Sequence, residues 1–401
     1  MKRSTGKYIG SILIIAGMGL GAGMLALPIT AAQIGFWKSL GLFVAMWSLM
    51  AYVALLSLEI NLYVGKGIAI GTAAKRFLGA WGNITASLSF LLLLYALLAA
   101  FTAGGGSILQ ELLDIPLSTQ VLQCLFAGIL GIFVFFHTKA VDYANRILFT
   151  AKITCLVLVL FSLNHFIDFK NLNADIPVRF DAFSLAIPIF FTAFGFHTCI
   201  HTIVDYVGPE NVSRLKHIFV VGSLLPLVIY ITWVFCCLGS LPATGDVSFA
   251  NVFAENNDLG AFLGELNKLT TAPQLMILTS SFSLLALSTS FLGVGLGLFD
   301  YLATLFKMSS NAKGRLITTL LTLVLPIGIS LIYPNGFITV LSYAAIMFSI
   351  FAVLIPACVV FKIRRIGHYA IDYRAPGGTV TLIGALLAGV VIILLAIYTN
   401  F

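Results

Sequence analysis

GMGLGAGMLALP, Gly17 to Pro28, lies in the middle of the first long apolar run of the chain. Gly17, Gly19, Gly21 and Gly23 alternate there, and Pro28 follows five residues later. Each glycine disfavours a helix interior by about 1 kcal/mol relative to alanine, and proline by about 3 kcal/mol. A segment that only crosses a bilayer has no use for that cost at its centre. Broken backbone at membrane depth survives where it is buried in protein or lines a polar cavity, because the released N–H and C=O groups need partners. The stretch therefore reads as a binding site built from an interrupted transmembrane helix. Close helix packing is the alternative, since Gly17/Gly21 and Gly19/Gly23 each form a GxxxG pair.

The rest of the chain suits a membrane. Of 401 residues, 60% are hydrophobic and 9% charged, against roughly a quarter charged in soluble proteins. Apolar runs recur at the ~20-residue length that spans hydrocarbon. They predict eleven spans, at 8–34, 39–63, 84–108, 121–136, 147–166, 183–206, 217–238, 275–306, 316–333, 337–361 and 380–398. The first run is too long for a signal-peptide core, and many more follow it. The longest connection, 239–274, is acidic and has room for a short amphipathic helix. With the N-terminus inside, cytoplasmic segments and adjoining helix ends hold 18 lysines and arginines, among them Lys2, Arg3, Lys66 and Lys139. The other side holds 4: Lys38, Lys170, Arg179 and Lys268. That asymmetry predicts a cytoplasmic N-terminus and a C-terminus on the far side. The net charge of +7 is spread over short loops, so nucleic acid is not an expected partner. The six cysteines show no CxxC spacing and support neither a disulfide framework nor a metal site.

The sixth span is interrupted too. FTAFGFHTCIH, Phe191 to His201, sets a glycine and two histidines among aromatics. Five spans separate the two interruptions, so they run in opposite directions, the arrangement expected of a transport site between inverted repeats. Spans 1–5 (about 8–166) and 6–10 (about 183–361) would be the repeats and span 11 (about 380–398) an addition, within a single transport domain covering 1–401.

Other constellations carry less. Gly17 to Ala22 spells the dinucleotide fingerprint, but no strand precedes it and no acid lies about 20 residues on. His197, His201 and Asp205 share one face of a continuous helix and invite a metal reading. The HExxH signature is absent, and the proposed break would misalign His197. No metal or other cofactor is expected. Lys152, six residues past Arg146, either snorkels to the interface or is functional. Glu59 and Asp300 lie near the cytoplasmic ends of spans 2 and 8, where pairing with basic residues at an inner gate is expected. Ser288, Thr289 and Ser290 in span 8 offer hydroxyls at a depth suited to a cation or an ammonium.

GAGMLALP (Gly21–Pro28), AKRFLG (Ala74–Gly79), FTAFGFH (Phe191–His197), SFLGVGLGLFDYLATLF (Ser290–Phe306) and YPNGF (Tyr333–Phe337) run through nearly the whole chain. On these segments it resembles the bacterial aromatic amino acid permeases, the tyrosine carriers above all. The resemblance implies an all-α membrane protein of the LeuT type, with a 5+5 inverted repeat, importing an aromatic amino acid with protons across the inner membrane. The family's first broken helix falls at Gly19 through Gly23 and its sixth at Phe194 through His197. Lys152 corresponds to a helix-5 lysine that takes a sodium ion's place in related carriers. Met18 and His201 depart from the family pattern.

A substrate's carboxylate is then expected at the amides of Gly21, Ala22 and Gly23, aided by the half-helix dipole. Its ammonium is expected at carbonyls around Gly19 and Phe194, and its ring against Phe194, Phe196 and Tyr95, with Gly195 and His197 beside it. Lys152, Ser288 and Thr289 are the candidates for proton coupling. Substrate, protons and lipid are the expected partners, with tryptophan, phenylalanine or a broad aromatic range as the alternative to tyrosine. Of other classes, a channel lacks a selectivity ring or acidic pore, and a metal-dependent intramembrane enzyme has only the His/Asp face to draw on.

Overall fold

The computed structural model describes residues 2–65, 68–113, 116–136, 138–269, 273–367 and 373–399; Lys66 lies outside them, as do the side chains of Lys2, Arg3 and Lys139. The described residues are helices and their connections. Among the described residues ten helices are long and apolar enough to cross a membrane, and a bent pair, Gly6–Gly19 with Ala22–Ala32, makes an eleventh crossing when taken as one span. Numbered in chain order after that pair, span 2 is Phe36–Val64, span 3 Ile70–Leu113, span 4 Thr119–Phe136 and span 5 Asn145–Phe166. Span 6 is Phe180–Val207, span 7 Val212–Ser240, span 8 Gln274–Leu305, span 9 Ala312–Ile332, span 10 Phe337–Ile366 and span 11 Gly378–Tyr398.

Both expected interruptions are present. The first helix ends at Gly19, and the chain resumes as a 3₁₀ turn at Ala22–Leu25 and a short helix at Ala26–Ala32. The two halves of the span are bent by 50°. Span 6 stops at Ala193, turns through Phe194–Phe196, and continues as a 3₁₀ turn and the helix Ile200–Val207. Span 3 is longer than hydropathy alone predicts. Its 44 residues kink at Gly79, whose φ of 76° only glycine adopts readily. The kink separates a first stretch, outside the apolar run, from the membrane helix. Span 10 carries a π-helical turn at Ile350–Leu354, a local one-residue excess in the helix.

Each end of the bundle is tied. In the 239–274 connection two short helices, Phe249–Ala254 and Leu259–Asn267, form a lid. Asp258 caps the second by accepting the Ala261 N–H at 3.0 Å, and also accepts the Ser107 hydroxyl of span 3 at 2.7 Å. Asn257 accepts a hydrogen bond from Gln33, at the end of span 1, at 2.9 Å. Within the lid, the Glu265 carboxylate accepts the Ser248 N–H at 2.8 Å and pairs with Lys268 at 2.7 Å. At the opposite end, fully buried Glu59 of span 2 pairs with Arg364 of span 10 at 2.7 Å and accepts the Ala375 N–H at 2.8 Å. Asp300 differs from expectation: it is exposed and makes no ion pair among the described residues.

Candidate substrate site between the two broken helices

A cavity of about 370 Å³ lies where the two breaks meet, within the size range of small-molecule sites. Span 1 contributes Gly17 through Gly23, and span 6 contributes Thr192, Ala193, Gly195 and Thr198. Lys152, Phe149 and Asn145 of span 5 face it from positions seven, four and zero of one helical stripe. Thr289, Ser290 and Gly293 come from span 8, and Phe348 from span 10. Span 3 supplies an apolar wall of Phe90, Leu93, Leu94, Leu97 and Phe101, the i, i+3, i+4, i+7, i+11 face of its helix.

Lys152 is buried at 2% exposure, so it does not snorkel. Its ammonium donates to the Leu20 carbonyl at 2.7 Å and the Thr289 hydroxyl at 3.1 Å, and lies 4.6 Å from the centre of the Phe149 ring. A carbonyl released by the span-1 break thus holds a cation from span 5. That carbonyl belongs to Leu20, inside the break. No carboxylate lines this cavity among the described residues.

The span-8 hydroxyls are Thr289 and Ser290, not Ser288. Ser290 accepts the Ala22 N–H at 2.8 Å. Ser288 is half-buried and does not line the cavity, because it sits a further 100° around the helix. Two of the three amides expected to meet a carboxylate are therefore already satisfied, Ala22 by Ser290 and Gly21 by the Gly19 carbonyl at 2.7 Å. The first of these bonds leaves the Ser290 hydroxyl proton for a ligand, since a hydroxyl donates once and accepts twice.

Tyr230 of span 7 is a residue that sequence reasoning missed. Fully buried, it donates to the Ala193 carbonyl at 2.8 Å and is also hydrogen-bonded to the Gly19 carbonyl, so one phenol joins the two breaks. The Gly19 carbonyl, expected to be open for an ammonium, is thus already taken by Tyr230 and by the Gly21 N–H at 2.7 Å. A lone tyrosine at mid-span, four residues after Pro226, was the available signal, since a buried phenol seeks a partner. Gly19 also packs on that proline: a Cβ at Gly19 would come within 2.6 Å of Pro226 Cγ.

Three expected ring-slot residues and His197 lie elsewhere. Phe194 turns its buried ring onto Tyr230, with centroids 5.2 Å apart. Phe196 packs in a separate apolar cluster with Ile15, Leu58 and Ile218. Tyr95 is rotated off the cavity face of span 3 and donates to the Leu321 carbonyl of span 9 at 3.0 Å. The cavity's aromatic rings are instead Phe90, Phe101, Phe149 and Phe348. His197 bonds through Nε2 to the Met50 carbonyl at 3.1 Å and lines a second cavity with His201. Among the described residues no group of three or more His, Cys, Asp or Glu is placed to hold a metal.

A model of the tryptophan/tyrosine permease family matches residues 4–396. The chain belongs to this family. The permease is 39% identical over 387 residues to the "Tyrosine-specific transport system 1" of Haemophilus influenzae, covering 96% of this chain and 95% of the relative. It is 33% identical to that organism's "Tryptophan-specific transport protein", covering 100% and 98%. A solved structure, the manganese transporter of Eremococcus coleocola, superposes with a TM-score of 0.62 at 12% identity, over 98% of this chain and 86% of that one. That likeness bears out the LeuT-type fold, and the family makes the permease a transporter and not an enzyme.

Proposed function

We propose that this permease is a proton-coupled symporter that imports an aromatic amino acid, L-tyrosine foremost, across the bacterial inner membrane by alternating access. The observation that carries the reading is a single cavity bordered by two broken helices, with the buried Lys152 ammonium on a carbonyl of one break. The degree of similarity to the tyrosine relative favours tyrosine over tryptophan. The excess of lysine and arginine on one side supports a cytoplasmic N-terminus, and the opposed breaks support an inverted repeat of spans 1–5 and 6–10.

In this reading the substrate's carboxylate meets the Gly23 amide and the Ser290 hydroxyl. Its ammonium uses the remaining lone pairs of carbonyls at the breaks, and its ring lies against the span-3 wall. Lys152 carries the coupled proton. Charged, it holds span 1 to span 8 through Leu20 and Thr289; neutral, it keeps only a weakened version of both bonds. One proton entering down about 100 mV supplies roughly 2.3 kcal/mol, nearly fifty-fold accumulation at about 1.4 kcal/mol per tenfold.

Proteoliposomes with an imposed pH gradient test this. The wild type is expected to concentrate labelled tyrosine, and Lys152→Ala to lose gradient-driven uptake. Accumulation by Lys152→Ala equal to wild type removes the lysine from coupling. A competition panel of tyrosine, phenylalanine and tryptophan ranks the substrates.

A further inference from the structure

Lys152 is the one ionisable side chain lining the central cavity among the described residues, so no carboxylate answers its charge there. An ammonium has three protons to place. Two of its contacts are hydrogen bonds, to the Leu20 carbonyl at 2.7 Å and the Thr289 hydroxyl at 3.1 Å. The third is an aromatic face: Nζ lies over the ring of Phe149, 4.6 Å from its centre. The two residues are three apart on span 5 and share a helical stripe, and a long helical side chain leans back over the turn before it. Span 1 supports the ring as well. A Cβ built at Gly17 would lie 3.4 Å from Phe149 Cε2 and Cζ, so the ring edge rests against the half-helix that precedes the break.

These contacts respond differently to the proton. A hydrogen bond to Leu20 or Thr289 weakens when the ammonium becomes an amine, but it survives. The quadrupole of a ring attracts a cation, so the Phe149 contact is attractive only while Lys152 is charged. Among the described residues no other ionisable group lines the cavity from spans 1, 3, 6, 8 or 10. Span 7 brings the Tyr230 phenol, which is committed to the Gly19 and Ala193 carbonyls. On span 5 Arg146 is exposed and Cys155 half-buried, and Asp300 of span 8 is exposed. The ring of Phe149 is thus the partner that tells the two protonation states of Lys152 apart.

We propose that Phe149 is a positioning residue for proton coupling, whose ring face seats the Lys152 ammonium in place of a counter-ion and favours its charged form. The proposal rests on the reading of Lys152 as the coupling group and adds the residue that tunes it.

Uptake of labelled L-tyrosine by proteoliposomes tests it, with external pH varied at fixed lumenal pH and the membrane potential clamped. Phe149→Leu keeps an apolar side chain and loses the ring. Its pH of half-maximal uptake is expected to move about 0.5–1.5 units toward acid, the range that a cation–π attraction supplies. Mono-, di- and trifluorophenylalanine at position 149, introduced by nonsense suppression, keep the shape of the ring and drain its face of electron density. They are expected to move the midpoint in the same direction, further with each fluorine. A ring that only fills space would alter the rate and leave the midpoint in place. A wild-type midpoint in the trifluoro carrier therefore overturns the proposal, whether or not the leucine variant folds. The coupling reading then still stands if Lys152→Ala loses gradient-driven uptake. Accumulation by Lys152→Ala equal to wild type overturns the coupling reading, and this role with it.

Discussion

Replacing Tyr230 with phenylalanine removes one oxygen from the junction of the two broken helices. The ring stays, with its contacts to Phe194 and Phe43 at centroid distances of 5.2 and 6.3 Å. The hydroxyl that the Ala193 carbonyl meets at 2.8 Å and the Gly19 carbonyl also meets is lost. A phenol has one proton, so the loss counts as one hydrogen bond, and it leaves buried carbonyl lone pairs behind. Such a deletion costs about 1–3 kcal/mol, which at about 1.4 kcal/mol per tenfold is roughly a 5- to 150-fold effect. The assay is the initial rate of tyrosine uptake in proteoliposomes, normalised to inserted protein, alongside the tyrosine Kd in detergent. Tyr230→Phe is expected to insert normally, bind more weakly and transport at least about fivefold more slowly. Wild-type rate and wild-type affinity in a fully inserted Tyr230→Phe carrier would refute the idea that this hydroxyl holds the site together.

Three further outcomes follow from the geometry. A Cβ at Gly23 lies 3.5 Å from Ala193 Cα, an ordinary contact, so Gly23→Ala should keep most tyrosine binding while the branched Gly23→Val loses it; equal affinities for the two move the site elsewhere. Ser290→Ala strips the Ala22 N–H of its acceptor and should weaken binding by about 1–3 kcal/mol, whereas Ser288→Ala should stay within about 0.5 kcal/mol; the reverse order contradicts the helix rotation described. In the lid, burial works to raise the Glu265 carboxyl, but hydrogen bonds from Lys268, Asn251 and the Ser248 N–H outweigh it and hold the pKa below its ordinary 4.5. A depressed carboxyl pKa stabilises the fold above the unfolded value and stops doing so as pH falls through the folded one. Hydrogen exchange should therefore show lid amides losing protection at acid pH in wild type, with Glu265→Gln starting lower and changing less. An identical acid profile in the two proteins counts against that role.

The interruptions at Gly17–Pro28 and Phe191–His201 were legible because glycine and proline act on the backbone, and a break needs no knowledge of neighbours. Span number was legible for the same reason, as hydropathy sums along one segment. Which way a side chain turns was not. Tyr95 and Leu94 are adjacent in sequence and 100° apart on the helix, and packing against span 9 decided which of them meets the cavity. Ser288 and Ser290, two residues and 200° apart, differ for the same reason. Tyr230 escaped notice because its function lies between two distant carbonyls, and neither partner is visible from span 7. Lys152 was legible by its rarity, an ionisable group within an apolar run, although its carbonyl partner required the bend.

The contact between Gly19 and Pro226 has a bearing on how such sequences can vary. A side chain at position 19 and a pyrrolidine ring at position 226 claim the same space, since the added carbon would lie 2.6 Å from Cγ and 3.0 Å from Cβ of the ring. Proline has no rotamer by which to swing aside. A descendant that acquires alanine at 19 can keep this join only by giving up the proline, and one that loses the proline no longer holds 19 to glycine. The two positions, 207 residues apart, are thus expected to vary as a pair, with the ring going first.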